Sequence, residues 1–272
     1  MNNLISVALF AIIVSLQVST AWADNKSSKV LKAEDIQWGY LNPLRGALSP
    51  AAANLWGDRT TNAATGMLVR FNKGFQSPPH IHNITYRGVV IDGLMHNASP
   101  NDSKAWMPQG SFWTQPAGND HITAAKSDSN LIYLEIDSGP YLVMPSKDAF
   151  ASEETPLNLH RDNIAWLGSN ELNYLDVQGA EAVLLWQNHS KIKGYMLKLP
   201  VGFKGQITTQ GSEFKAVLIS GRVGYSSIEQ PFINLVAGSF IESNTKFQHN
   251  INNIGDQTVR IYIRTNNKYW VE

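Results

Sequence analysis

Short apolar runs, each bounded by turn residues, recur about every 8–12 positions along this chain. Met67–Phe71, Gly88–Ile91 and Leu131–Ile136 are examples in the first half; Tyr195–Leu199, Ala216–Ile219 and Val259–Ile263 are examples in the second. They are rich in β-branched and aromatic residues, which suit a pleated, half-buried surface. The pattern predicts an all-β sandwich or barrel. Helical periodicity is scarce. Pro50–Leu55 and Ala149–Glu154 are the two stretches expected to form a single helical turn.

One apolar run differs in kind. Leu4 to Val18 is interrupted only by Ser6, Ser15 and Gln17, and it leads into Ala21-Trp22-Ala23 and then polar residues. This reads as a secretory signal over residues 1–23, cleaved after Ala23. The run is short for a membrane span, which needs ~20 apolar residues. The expected location is therefore periplasmic or secreted, with no membrane contact after cleavage.

A second level of order is an internal repeat. Shifted by 128 positions, the chain falls on itself without a gap: Trp38 meets Trp166, Gly66 meets Gly194, and Gly74-Phe75 meets Gly202-Phe203. Gly93 meets Gly221, Gly110-Ser111-Phe112 meets Gly238-Ser239-Phe240, and His121 meets His249. Matching glycines carry weight, because glycine marks backbone that needs positive φ or close approach. The expected organisation is a leader (1–23), a linker (24–34), a first β-domain (35–147), a polar joint (148–159) and a second β-domain (160–272).

Composition removes several function classes. The chain has no Cys, so disulfides, thiol nucleophiles, Cys-ligated zinc and iron–sulfur clusters are excluded. Lys+Arg and Asp+Glu are 22 each, with no basic stripe, so nucleic acid and anionic lipid are poor partners. There is no nucleophile elbow, phosphate loop or dinucleotide fingerprint.

Chemistry concentrates in residues 74–93 and 110–121. Gly74 is followed by five residues and then His80-Ile81-His82, with Gly93 eleven residues further on. Gly110 is followed by five residues and then Pro116-Ala117-Gly118-Asn119-Asp120-His121. On a strand, residues two apart share a face, so His80 and His82 project together. Pro78-Pro79 cannot donate to a β-ladder and mark the start of that strand. Pro116 and Gly118 form a tight turn ahead of His121. Three neutral imidazoles suit Zn, Fe, Cu or Ni and leave a coordination position open.

These two stretches resemble the paired motifs of the cupin superfamily, Gly-x5-His-x-His-x3/4-Glu-x6-Gly and Gly-x5-Pro-x-Gly-x2-His-x3-Asn. The second motif alone arises by chance on the order of once per 10⁵ start points. The resemblance spans the mature chain as a bicupin. It is similar in particular to a bacterial cupin family of unassigned function, related to the cupin domain of a zinc-binding anti-sigma factor. It implies two tandem jelly-roll (cupin) β-barrels, the first holding one divalent metal (Fe, Zn, Mn or Ni) through His80, His82 and His121.

The chain departs from the family at informative places. The motif Glu is Tyr86, so the ligand set is reduced to three His with a phenol nearby. Without a ligand carboxylate the metal keeps its full charge, which favours an anionic or chelating oxygen ligand. The motif Asn is Ala125. In the second half Thr208 and Gln210 replace His80 and His82, and only His249 remains. That half is expected to serve packing, pseudo-dimer formation or ligand shape, with His249 as a hydrogen-bonded interior or rim residue.

Weaker candidates are Arg70, for lining the barrel; Gln115, for reaching the metal; and Glu135, as a partner fixing a ligand His or as a partly exposed strand residue. The resemblance implies a metal-dependent oxidoreductase of dioxygenase type acting on a small oxygen-rich molecule, with Tyr86 donating a proton or hydrogen bond; a zinc-hydroxide hydrolase is the other enzymatic version. The alternative is a non-catalytic cupin that binds or senses a metal or small ligand. Either leaves room for a homodimer.

Overall fold

A computed structural model describes residues 27–272. The leader assigned to residues 1–23 lies outside the described residues. Two seven-stranded antiparallel sheets, one in each half, organise the fold. The first runs, in spatial order, Leu157–Leu159, Phe112–Gln115, Tyr86–Asp92, Asn130–Ile136, Thr65–Phe71, Ala51–Trp56 and Gly39–Tyr40. The second runs Ser28–Leu31, Phe240–Ser243, Phe214–Ser220, Val259–Thr265, Lys193–Leu199, Glu181–Gln187 and Leu167–Gly168. A smaller sheet faces each, closing two jelly-roll barrels. In the second half it is a continuous five-stranded sheet. In the first half it is broken into a three-stranded and a two-stranded piece, tied by bridges Gln76–Ala124 and His80–His121.

The central strands of the large sheets are buried on both faces. Along Thr65–Phe71, Met67, Val69 and Phe71 pack into the first barrel, while Leu68 packs against the other half. Leu68, Val89, Phe112 and Tyr133 meet Met196, Val217, Phe240 and Tyr262 in one core cluster. Strands covered on both faces have no solvent side to make polar. This is why the sequence shows unbroken apolar runs rather than clean alternation.

Two segments expected as connections carry strands instead. Ser28–Leu31 pairs with Phe240–Ser243 of the second half, and Leu157–Leu159 pairs with Phe112–Gln115 of the first. Each covers an edge that would otherwise present unpaired backbone groups.

Three local expectations are corrected. Ala51–Trp56 is a strand, not a helical turn, because its backbone is captured by Thr65–Phe71. Ala149–Glu154 holds no helix; the nearby 3-10 turn is Ser146–Asp148. The offset between the halves is also not constant. Gly93 and Gly221, both in the left-handed region (φ 83° and 89°), keep the spacing of 128. However, Leu68 stands opposite Tyr133 while Met196 stands opposite Tyr262, an offset of 129 for the last strand. Ala52 and Ala182, paired with Val69 and Leu197, differ by 130. The extra residues fall in connecting segments, which tolerate insertion. Among the described residues no helix is long and apolar enough to cross a membrane.

Candidate metal centre

The strand His80–His82 begins directly after Pro78-Pro79 and is held on both sides. Val143–Pro145 pairs with it on one flank. On the other, His80 and His121 exchange two backbone hydrogen bonds (3.1 and 3.0 Å), and the Gly118 N–H donates to the His82 carbonyl (2.8 Å). Gly118 has φ 71°, and a Cβ there would lie 2.5 Å from Phe150. The turn therefore needs glycine both for its dihedral and for the close approach. The two motifs are thus stitched together by their backbones before any side chain is considered.

The three rings converge. Ring centroids are 5.0 Å apart for His80–His82, 4.2 Å for His80–His121 and 5.2 Å for His82–His121. One ring nitrogen from each lies within 4.8 Å of the others. Each Nδ1 contacts a backbone carbonyl: His80 to Pro78 (2.9 Å), His82 to Leu142 (2.8 Å) and His121 to Asn119 (3.1 Å). A carbonyl only accepts, so each Nδ1 must carry the proton. Every Nε2 is then left with a lone pair. This is the tautomer a metal ligand requires, fixed by the outer hydrogen bond.

Electrostatics keeps the trio neutral. Burial is the largest cause in each case and holds all three below the ordinary imidazole value. His82 is pushed well below it, with the neighbouring His121 and His80 adding to the depression, and His121 falls to about 3. The arrangement fits a divalent transition metal: three neutral nitrogen donors, aimed at one point and shielded from water.

Two phenols adjoin this point. The Tyr86 hydroxyl is 3.3 Å from His121 Nε2 but donates to Asn97 Oδ1 (2.8 Å), which also accepts from Thr123 (2.8 Å). The Asn97 amide donates to Gln115 Oε1 (2.9 Å), and Gln115 donates to the Asn119 carbonyl (2.9 Å), the acceptor for His121 Nδ1. A polar chain therefore runs from Tyr86 behind His121 and fixes both. Tyr141 lies 59 residues from His82, stacks on its ring at 4.4 Å and donates to His82 Nε2 (3.1 Å). Asn83 holds this loop through Pro140 and Leu142 (both 3.0 Å). Burial raises the pKa of both phenols, so both stay protonated.

Residues 29–272 match a protein family described as a domain of unknown function, DUF4437. The chain belongs to the DUF4437 family. No curated protein sequence matches it. Solved structures do, at low identity. A provisionally assigned dioxygenase from Nostoc punctiforme has a TM-score of 0.63 at 14% identity, covering 88% of this chain and 82% of its own. Oxalate decarboxylase from Lactobacillus farciminis, in complex with formate, has 0.58 at 12%, covering 89% and 87%. The Bacillus subtilis oxalate decarboxylase, studied for its Mn(II) centres, has 0.52 at 12%, covering 89% and 78%. These likenesses establish the cupin fold, and the buried histidine trio in that fold fits metal binding.

Elsewhere in this DUF4437 chain the weaker candidates part from the site. Arg70 is exposed and stacks on Trp38 at 4.1 Å; it does not line the first barrel. Gln115 is buried, but its amide is spent on Asn97 and Asn119, so it supports His121 rather than reaching the metal position. Glu135 is neither partly exposed nor near a ligand His. It is fully buried and accepts from Tyr133 (2.9 Å), Tyr262 (2.8 Å) and Arg264 (3.4 Å), at the junction of the halves. Strand alternation alone leaves Glu135 facing water, and the second half covers that face. His249 is an interior residue, with Nδ1 against Tyr225 (2.9 Å) and Nε2 against Ser243 (3.1 Å). Among the described residues His80, His82 and His121 form the one cluster of three such side chains. Tyr141 escaped the sequence reasoning, and no local signal marks it.

Metal-free protein should be pH-dependent in stability. The folded pKa of His121 and of His249, each about 3, lies below the unfolded value near 6.5. Below that value the unfolded chain takes up protons that the folded chain refuses. Stability is therefore full above it and falls with pH toward about 3, at about 1.4 kcal/mol per pH unit for each such imidazole. Urea unfolding in chelator should show a midpoint lower at pH 5 than at pH 7. An unchanged midpoint would refute the neutral, buried assignment.

Proposed function

We propose that this chain is an exported bicupin whose first barrel binds one divalent transition metal through His80, His82 and His121. On this reading it acts as a metal-dependent oxidoreductase of dioxygenase type on a small molecule that presents oxygen to the metal. The observation that carries the reading is the common orientation of the three rings, each Nδ1–H tied to a carbonyl and each Nε2 turned inward. A bound metal would supply Lewis acidity and, if iron, one-electron chemistry with dioxygen. The chain's own residues do the rest. Tyr141, whose hydroxyl proton points at the trio, donates to an oxygen held beside His82. Tyr86 keeps its proton on Asn97 and fixes the wall behind His121. Apolar side chains around the trio exclude water. The second barrel, an inexact copy of the first without the two paired histidines, contributes packing.

A second reading has support in the same site. No carboxylate lines the cavity beside the trio, and the Tyr86 proton is committed elsewhere, so there is no evident general acid–base pair. This favours a cupin that binds or senses a ligand without turnover. Iron-loaded and zinc-loaded protein should be compared for dioxygen uptake with diketones, thiols and carboxylates. Uptake by the iron form alone is the expected result. Stoichiometric metal with no uptake from any of them would replace the enzyme reading with the binding one.

A further inference from the structure

The cavity beside the trio constrains the ligand more tightly than the trio does, provided that the trio holds the proposed metal. His80, His82, Tyr86 and Tyr141 form one end of a cavity of about 150 Å³. The remaining wall is mainly apolar. Val69, Phe71, Ile132 and Leu134 project into it from two paired strands of the large sheet, with Ile132 directly opposite Val69. Phe75, stacked against Phe71 at 5.1 Å, continues that wall. No carboxylate lines the space, and its one permanently charged side chain is Arg45, exposed on the Pro43–Leu48 segment. The two ends therefore ask for different chemistry. Three neutral imidazoles leave a divalent metal's charge uncompensated, so the metal end takes an anionic oxygen group, with the Tyr141 hydroxyl as donor. The strand-borne end offers area to carbon and little to charge.

We infer that the ligand is an amphipathic monoanion: one carboxylate or enolate head on the metal and an apolar body, on the scale of a single aromatic ring, against Val69, Phe71, Phe75 and Ile132. A compact dianion such as oxalate is disfavoured. It would leave the apolar volume unfilled and turn its outer oxygens toward a mainly apolar wall whose one cation, Arg45, is exposed on its own segment. Arg45, exposed on its own segment, draws anions toward the cavity without clamping a second charge. The site thus shares the cupin fold with the oxalate decarboxylases and differs from their named substrate in the ligand it selects.

The test uses the metal-loaded full chain and three probes: benzoate, formate and oxalate. Binding is followed by titration calorimetry and by the visible spectrum of the Co(II) form, with metal content measured before and after. Benzoate should bind at least about tenfold more tightly than formate or oxalate. Phe75→Glu, a carboxylate added to a half-buried position of the wall, should weaken benzoate at least about tenfold while metal content stays unchanged. Should that variant not fold, Phe75→Ala is read the same way, with a loss of several-fold expected. Equal or tighter binding of oxalate or formate by metal-loaded protein overturns this inference and leaves the metal centre standing. Retained benzoate affinity in both Phe75 variants does the same. Failure of the chain to hold any metal overturns both.

Discussion

His82→Ala should abolish tight metal binding. Of the three imidazoles His82 is the most thoroughly placed. Its backbone carbonyl is fixed by Gly118, its Nδ1 by Leu142 and its ring by the stacked Tyr141. Removing it leaves two nitrogen donors and no third protein ligand among the described residues. Loss of a residue that merely orients a ligand costs 10–100-fold in affinity, so loss of the ligand itself should exceed about 100-fold. Elemental analysis after dialysis against a weak chelator should find about one metal per wild-type chain and a trace in the variant. His249→Ala is the control. Its ring is satisfied by Tyr225 and Ser243, and among the described residues it belongs to no cluster of three metal-ligating side chains. Its metal content should equal wild type, whereas loss of half the metal would place a second site in the second barrel. A trace of metal in wild type as well would end the metal reading altogether.

Sequence legibility followed the range of the interactions. The histidine trio was readable in part because its spacing is local, with His80 and His82 on one strand face and His121 behind a Pro-Gly turn; that the two stretches meet rested on the family resemblance, because the His80–His121 bridge is long-range. The six apolar runs all fall in strands for a similar reason, since each carries its own β preference. What failed depends on distant partners. Ala51–Trp56 has helix-forming alanines, yet a neighbouring strand claims its backbone, a tertiary effect that propensity does not contain. Tyr141 reaches His82 only because Val143–Pro145 pairs with the ligand strand, and nothing in either segment announces that pairing. The gapless offset of 128 concealed shifts to 129 and 130 that only strand registers reveal. That slip matters: it places Arg264, not Ile263, at the position matching Glu135, and so turns a repeat into a charge-complementary junction.

This junction is where the largest stability effect is expected. Glu135 and Arg264 are 0% and 1% exposed. Arg264 also reaches Asp137 and Glu213, each at 2.7 Å. In Arg264→Met the outer carboxylates keep cations: Asp137 retains Arg87 (2.9 Å) and Glu213 retains Lys215 (3.3 Å). Glu135 keeps only the hydroxyls of Tyr133 and Tyr262, which are dipoles and not charges. Stranding one partner of a buried pair costs ~3–5 kcal/mol, because the desolvation already imposed on the survivor is no longer offset. Urea unfolding at pH 7 should show a loss of that size. Adding Glu135→Gln to Arg264→Met removes the stranded charge but leaves one acceptor oxygen where Tyr133 and Tyr262 each used their own, so the double variant should regain part of the loss. If the single variant loses less than ~1 kcal/mol, Glu135 is not carrying a charge that Arg264 must balance. The recovery is the decisive arm. Arg264 also fills space beside Trp56 and Trp186, at 5.3 and 5.6 Å from their rings. A loss of packing there would persist in the double variant, whereas a stranded charge would not.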